Sequence, residues 1–169
     1  MKKIIIAVAL MLGMSTMNAQ SFEKGTSVIQ LGAAVGSDFG LPLGASYEYG
    51  VSDKIGVGVY AGYASKEFSV GYGGDYKVTY TLAGVRGNYH FYTEDKIDAY
   101  GGVLLGYNSA SLKYTNGAPN YPGYVAPSYG GAVFGGQVGA RYYFTDSLAA
   151  FAELGYGIGY LNIGLAYKL

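Results

Sequence analysis

Apolar residues alternate with small or polar residues on both sides of a short charged turn at residues 93–96. The apolar series before the turn is Val85, Gly87, Tyr89 and Phe91, and the series after it is Ile97, Ala99, Gly101, Val103, Leu105 and Tyr107. A period of two predicts β-strands, and each arm has about the ten residues that a tilted strand needs to cross a bilayer. Residues 84–107 are therefore predicted to form a two-stranded hairpin with one apolar face.

The same hairpin pattern recurs at residues 44–63 and 139–156, each time around a short turn of Ser, Thr, Asp or Lys. A repeated unit of this kind cannot bury its own apolar face and must be completed by its neighbours. With a first strand near residues 26–36 and a last strand at the carboxyl terminus, the pattern predicts an all-β fold. The predicted architecture is an eight-stranded antiparallel up-and-down barrel with both chain ends on one side.

The links between the predicted strands differ in length. Short turns alternate with longer, Gly-rich links at residues 66–77 and about 109–130, an asymmetry that is typical of transmembrane barrels. The strand register is open at Tyr80 and Leu82, which fall on the polar side if no bulge intervenes.

The amino terminus has the pattern of an export signal. Lys2 and Lys3 precede an apolar run at residues 4–13 and a small, polar ending at residues 18–20. This pattern predicts a signal peptide over residues 1–19, cleaved after Ala19, and a barrel domain over residues 20–169. A membrane-spanning helix is the less favoured interpretation, because the apolar run is well short of the roughly 18 to 20 residues that a span requires.

Composition narrows the choice of function. The 169 residues include 29 Gly and 20 Tyr but no Cys, which excludes disulfides, thiol chemistry and Cys-ligated metals. Removal of Lys2 and Lys3 would leave nine basic residues of the original 11 against 11 acidic residues, so nucleic acid is not an expected partner. No cofactor and no metal is predicted.

Alternation alone does not say which face of the strands points outward. In a soluble barrel the apolar face points inward, whereas in a membrane barrel it points to lipid. Three features favour the membrane barrel: the signal peptide, the abundance of Gly on the opposite face, and aromatic residues beside the short turns, as in an interfacial belt. These aromatic residues are Tyr47, Tyr49, Tyr89, Phe91, Tyr142 and Phe144. A soluble secreted ligand-binding barrel requires the apolar faces to turn inward.

The segments GVRGNYHF and GARYYF, which precede polar turns, and the final AELGYGIGYLNIGLAYKL carry a family resemblance. The chain resembles the small eight-stranded outer-membrane β-barrel proteins, the OmpX-like and OmpW-like barrels often labelled porin-family proteins. The resemblance implies a transmembrane barrel in the outer membrane of a Gram-negative cell, with the lipid bilayer and the assembly machinery as partners. The terminal Leu169 departs from the aromatic residue with which that family commonly ends, and Tyr167 lies two residues before it.

The inner face of the predicted barrel carries a set of polar residues that includes the only two arginines. The set is Gln30, Glu48, Tyr60, Arg86, Asp98, Tyr100, Gln137, Arg141 and Glu153. Because buried charges must be paired, these residues are predicted to plug the lumen with ion pairs and hydrogen bonds; a polar pathway for small solutes is the alternative. His90 is expected roughly opposite Asp98 near the periplasmic rim. No nucleophile or substrate cleft accompanies it, so no catalytic residue is predicted.

The longest predicted link carries four tyrosines that are candidates for contact with a surface protein or a glycan, since Tyr gives a large contact area at low entropic cost. They are Tyr114, Tyr121, Tyr124 and Tyr129. The alternative is an exposed loop without a contact role. The sequence therefore favours a non-enzymatic outer-membrane barrel whose surface loops serve interaction or envelope integrity and whose lumen is filled by side chains. The alternative function is a narrow channel or carrier for small solutes.

Overall fold

The computed structural model describes residues 21–35, 40–69, 75–116, 128–155 and 159–169. The strands are β1 (Ser27–Val35), β2 (Leu43–Gly50), β3 (Ile55–Ser69), β4 (Asp75–Glu94), β5 (Ile97–Asn116), β6 (Ser128–Tyr143), β7 (Leu148–Gly155) and β8 (Leu161–Lys168). Each strand pairs with its neighbours along the chain, and β1 closes the ring against β8. Val28 pairs with Lys168, so β1 begins and β8 ends at the same end of the barrel. The predicted all-β, eight-stranded antiparallel up-and-down barrel is confirmed.

The apolar strand faces point outward. Val57, Val59, Val103, Leu105, Val138 and Leu154 are between 45% and 57% exposed. The aromatic residues beside the short turns are also exposed, and Tyr63 and Tyr107 lie on the outer surface at the other end of the apolar band. Since polar side chains occupy the interior, this apolar outer surface is the lipid-facing surface of a transmembrane barrel. Within the described ranges, no helix is long and apolar enough to cross a membrane.

The barrel wall is much taller on one side than on the other. Strands β1, β2, β7 and β8 have eight or nine residues, whereas β3 to β6 have 15 to 20. The links predicted at residues 66–77 and 109–130 are shorter in the structure. Around the first link, strand pairing continues to Ser69 and resumes at Asp75. Around the second link, it continues to Asn116 and resumes at Ser128. In these extended parts of the strands the outer face is polar, so the apolar series that marked a strand in the sequence is lost although the alternation continues.

The register that the sequence left open is continuous. The pairing of β3 with β4 runs without interruption from Ile55 opposite Tyr89 to Ser69 opposite Asp75, so no bulge displaces Leu82. Leu82 points into the barrel and is 2% exposed. It packs in an inner apolar layer together with Tyr80, Ala34, Tyr60, Ala64, Leu104 and Val133.

The turn between β4 and β5 is shorter than the sequence suggested. Glu94 pairs with Ile97, so the connection consists of Asp95 and Lys96, and Asp95 has a φ of 36°. A bulge between His90 and Tyr92 shifts the register just before this turn. A bulge inserts an unpaired residue and bends the strand, which leaves Phe91 exposed on the outer surface.

Replacing Gly102 by Ala is expected to destabilise the barrel through packing. A Cβ on Gly102 would lie closer than van der Waals contact distance to the Asn88 side-chain oxygen and to the Gly87 carbonyl oxygen. Overpacking of this kind costs about 1 to 3 kcal/mol. Urea titration followed by heat-modifiable gel mobility measures the loss. The matched control is Gly87→Ala, because nothing lies within 4 Å of a Cβ there. Equal unfolding midpoints for the two variants would contradict the packing argument.

Candidate functional site

A buried polar cluster fills the lumen toward the end of the barrel that carries the short turns. Arg141 on β6 lies at its centre and is fully buried. Its Nη1 donates to Asp98 Oδ2 at 2.8 Å, and its Nη2 donates to Gln30 Oε1 at 3.1 Å and to Glu48 Oε2. One guanidinium thus connects β6 with β5, β1 and β2 across the lumen.

His90 is the second centre of the cluster, and its side chain is fully buried. Its Nδ1 lies 2.6 Å from Asp98 Oδ1, and its Nε2 lies 3.1 Å from Glu48 Oε1. Asn88 also donates to Glu48 Oε1 at 2.6 Å. Asp98 and Glu48 are therefore shared between the imidazole of His90 and the guanidinium of Arg141.

Arg86 and Glu153 form a separate ion pair in the same lumen, with Nη2 and Oε2 2.7 Å apart. The Tyr100 hydroxyl donates to Glu153 Oε2 at 2.9 Å and accepts from Gln30 Nε2 at 3.2 Å. The guanidinium of Arg141 lies over the ring of Tyr100, 4.5 Å from its centroid. Tyr100 and Gln30 therefore join the two ion-pair systems into one network.

The charges of this network are nearly balanced. Two arginines face three carboxylates, those of Glu48, Asp98 and Glu153. A neutral imidazole has only one N–H, whereas the cation donates through both nitrogens. Because both nitrogens of His90 face carboxylate oxygens, the doubly protonated ring matches the geometry and balances the charge.

The structure brings most of the predicted lumen residues together. Gln30, Glu48, Arg86, Asp98, Tyr100, Arg141 and Glu153 share the network described above. Gln137 is half-buried beside them, with its side-chain amide group next to the side chains of Asn88 and Arg86. Tyr60 packs in the apolar layer with Leu82 and Leu104, and it also lines a small cavity next to Gln30, Arg86 and Glu153.

Three contributors to the cluster were missing from the predicted set. Asn88 and His90 occupy the same inward face of β4 as Arg86, so the period of two contains the signal for both. Ser46 lies on the inward face of β2 and donates to Gln30 Oε1 at 3.1 Å. Alternation identifies the face of such residues but not their partners across the lumen.

The predicted contact tyrosines divide between described and undescribed parts of the chain. Tyr114 is part of β5, and Tyr129 is part of β6 and 73% exposed. Tyr121 and Tyr124 lie outside the described residues.

Among the residues that the structure describes, no group of three or more His, Asp or Glu side chains has an arrangement that could hold a metal ion. In the polar cluster, the carboxylates that surround His90 are already bound by Arg141.

Comparison with solved structures finds the same fold in bacterial barrels. The N-terminal β-barrel domain of Pseudomonas aeruginosa OprF is 18% identical and has a TM-score of 0.64, with 87% of this chain and 99% of that chain covered. The outer membrane protein OprG of Pseudomonas aeruginosa is 14% identical with a TM-score of 0.62, covering 88% and 97%. Ail, the attachment invasion locus protein of Yersinia pestis, in complex with the heparin analogue sucrose octasulfate, is 15% identical with a TM-score of 0.60, covering 86% and 99%.

No protein-family model matches the sequence, and no curated protein matches it. The structural likeness therefore defines the fold: the chain is a small eight-stranded transmembrane β-barrel. The resemblance of the sequence to the OmpX-like and OmpW-like barrels is confirmed at the level of this fold.

Proposed function

We propose that the chain is a non-enzymatic integral protein of the outer membrane of a Gram-negative cell. In this proposal the lumen is closed by side chains, and the tall side of the barrel serves interaction at the cell surface or envelope integrity. The fold shared with OprG, an outer membrane protein, supports the location. An export signal over residues 1–19, which lie outside the described residues, agrees with it.

The polar cluster supports a closed lumen. An eight-stranded barrel has an interior just wide enough for side chains to fill. Here Arg141, Tyr100, His90, Glu48 and Asp98 are each fully buried in that interior. An apolar layer that includes Leu82 and Leu104 follows further along the axis.

The same cluster supports a non-enzymatic role. A general base needs a nitrogen or oxygen within reach of a substrate proton. Both nitrogens of His90 are instead held by Asp98 and Glu48, and the imidazole has no exposed surface.

The tall side supports a surface role, because strands β3 to β6 continue beyond the apolar band. Above Tyr63 and Tyr107 the outer face becomes polar, with Ser65, Thr79, Thr81, Ser109 and Ser111 in place of apolar residues. In β5 the strand continues from Asn108 to Asn116, which at about 3.3 Å per residue is roughly 30 Å of strand. The short turns define the periplasmic end, so this projection faces the cell exterior.

The inner face of the projection is aromatic, and this observation carries the proposal. Phe68, Tyr76 and Tyr114 occupy neighbouring positions on β3, β4 and β5, with ring centroids 5.3 and 6.4 Å apart. Lys66 lies over the Phe68 ring, 5.2 Å from its centroid, and Tyr129 on β6 is 73% exposed. Aromatic residues with polar handles are enriched where proteins meet partners. The partner in this proposal is a surface protein or a glycan.

Single cysteines test the exposure of the projection, since the chain has none of its own. Lys113→Cys on β5 is expected to react with a membrane-impermeant maleimide–biotin on intact cells. Lys54→Cys, in the short turn between β2 and β3, should react only after the outer membrane is permeabilised. The opposite pattern would contradict the proposed orientation.

The surface role itself is tested by replacing Phe68, Tyr76 and Tyr114 together with Ser. The folded barrel should persist, whereas adhesion of the cells to host matrix or glycan-coated surfaces, or resistance of the envelope to detergent, should fall. A matched control is the triple change of Thr79, Thr81 and Ser111 to Ala on the opposite face. If both variants behave like the unmodified protein in every assay, the surface proposal fails.

The channel or carrier alternative rests on a small cavity beside the polar cluster. Arg86, Glu153, Gln30, Tyr60 and Phe151 contribute to its lining. Polar and aromatic groups that converge on a cavity are typical of small-molecule sites. Conductance in planar bilayers separates this alternative from a closed lumen, because a channel conducts steadily and a closed lumen does not.

A further inference from the structure

Residues 21–26, which precede β1, fold across the short-turn end of the barrel, and we call this segment the strap. Ser21 and Phe22 are at most 1% exposed, although neither belongs to a strand. The Ser21 hydroxyl donates to the carbonyl oxygen of Ile97 at 2.8 Å. Ile97 begins β5, which lies opposite β1 in the ring of eight strands. The strap therefore crosses the mouth from one wall to the opposite wall.

Phe22 joins the strap to the polar cluster. Its ring is nearly parallel to the imidazole of His90, with centroids 3.5 Å apart and an interplanar angle of 6°. It thus covers the ring that Asp98 and Glu48 hold from either side. An apolar ring at this position excludes water from charges, and charges interact more strongly where water is excluded.

Backbone hydrogen bonds fix the strap to the end of β2. The Gly25 N–H donates to the Gly50 carbonyl oxygen, and the Gly50 N–H donates to the Thr26 carbonyl oxygen, both at 2.8 Å. A Cβ on Gly50 would overlap the carbonyl oxygen of Glu23 and lie 3.2 Å from the Phe22 ring. The close approach of the strap therefore requires glycine at position 50.

We propose that the strap is a seal over the periplasmic mouth of the lumen, with Phe22 seated on His90. Release of the strap admits water and small ions to the charged cluster of His90, Glu48, Asp98 and Arg141. Any route through the lumen from the periplasmic side first requires this release. The inference does not depend on whether the projecting strands bind a partner, because the strap lies at the other end of the barrel.

Thiol labelling tests the seal in the full-length protein in lipid nanodiscs, where both mouths are accessible. Ser21→Cys should react with a charged methanethiosulfonate about 100-fold more slowly than Lys24→Cys, because the buried position reacts only through local opening. Adding Gly50→Ala should accelerate the reaction at position 21 at least about tenfold by unseating the strap. Adding Gly87→Ala should leave the rate unchanged. Equal rates at positions 21 and 24, or no effect of Gly50→Ala, would overturn the proposal.

The sole histidine provides a second readout that needs no cysteine. In NMR spectra of protein labelled with ¹⁵N-histidine, the imidazole N–H of His90 should be protected from solvent exchange. Its carbon-bound ring protons should be shifted upfield by the parallel Phe22 ring. Phe22→Leu should remove the upfield shift and keep part of the protection, whereas Phe22→Ala should lose both. If the His90 signals are the same in the unmodified protein and in both variants, the seal is disproved. If Phe22→Ala does not fold, as judged by heat-modifiable gel mobility, the comparison of Phe22→Leu with the unmodified protein tests the proposal by itself.

Discussion

Replacing Arg141 by Ala is expected to lower the free energy of unfolding by about 3 to 5 kcal/mol, the usual cost of leaving a buried charge without its partner. Arg141 is the shared donor to Glu48, Asp98 and Gln30. Its removal leaves two buried carboxylates with His90 as their remaining cationic neighbour. Urea titration of the folded barrel in lipid vesicles measures the effect. Exposed ion pairs contribute less than about 1 kcal/mol. A loss of stability below that value would therefore contradict the conclusion that the charged groups of the cluster are paired and shielded from water.

Two comparisons sharpen the Arg141 experiment. Arg141→Lys keeps the charge but loses the fork geometry that serves several acceptors at once, so its stability should fall between those of the Ala variant and the unmodified protein. In planar bilayers the unmodified protein should show little steady conductance, and Arg141→Ala should show more. Large, stable pores in the unmodified protein would refute the closed lumen and favour the channel or carrier alternative.

Replacing Val103 by Arg is expected to cost about 2 to 4 kcal/mol, the penalty for a cationic side chain on the lipid face near the bilayer midplane. Val103 is 51% exposed on the outer face of β5, between Ile97 at the short-turn end and Tyr107 at the other boundary of the apolar band. The same urea titration in vesicles measures the loss.

The matched control is Ser111→Arg, on the same face of β5 but beyond the apolar band. It should change stability by no more than about 0.5 kcal/mol, as surface substitutions usually do. Spin labels at Val103 and Val138 give an independent check, because both should be accessible to oxygen in lipid and shielded from water-soluble relaxation agents. Labels that report water would show that the lipid-facing surface has been wrongly assigned.

The sequence was sufficient to predict the barrel because each side chain of a strand belongs to one of two faces. Alternation around residues 84–107 predicted the strands and directed Arg86 and Asp98 inward. It did not give the position of a side chain along the barrel axis, so it did not show that Tyr60 also packs in the apolar layer with Leu82 and Leu104. It also did not give partners across the lumen, since the contact of Arg141 with Gln30 joins residues 111 apart and depends on closure of the ring.

Other features lay outside what periodicity can detect. Residues 21–26 have no regular alternation, so the folding of Phe22 against His90 had no sequence signal. The projecting strands were predicted as loops because their outer face turns polar above Tyr107, and loss of the apolar series resembles loss of the strand. A period of two whose apolar side changes from the outer to the inner face marks the point where such strands leave the bilayer.

The apolar band, rather than the height of the wall, determines how the barrel meets the surrounding lipid. On β3 the outer face is apolar from Ile55 to Tyr63 and polar beyond it, and the short strands β1, β2, β7 and β8 have eight or nine residues. Eight residues tilted by about 40° span roughly 20 Å of membrane normal, against about 25 Å for the usual apolar band. Hydrophobic mismatch is met by local thinning of the bilayer or by tilt of the protein. The barrel is therefore expected to thin the membrane around it and to favour neighbouring proteins with equally short apolar belts.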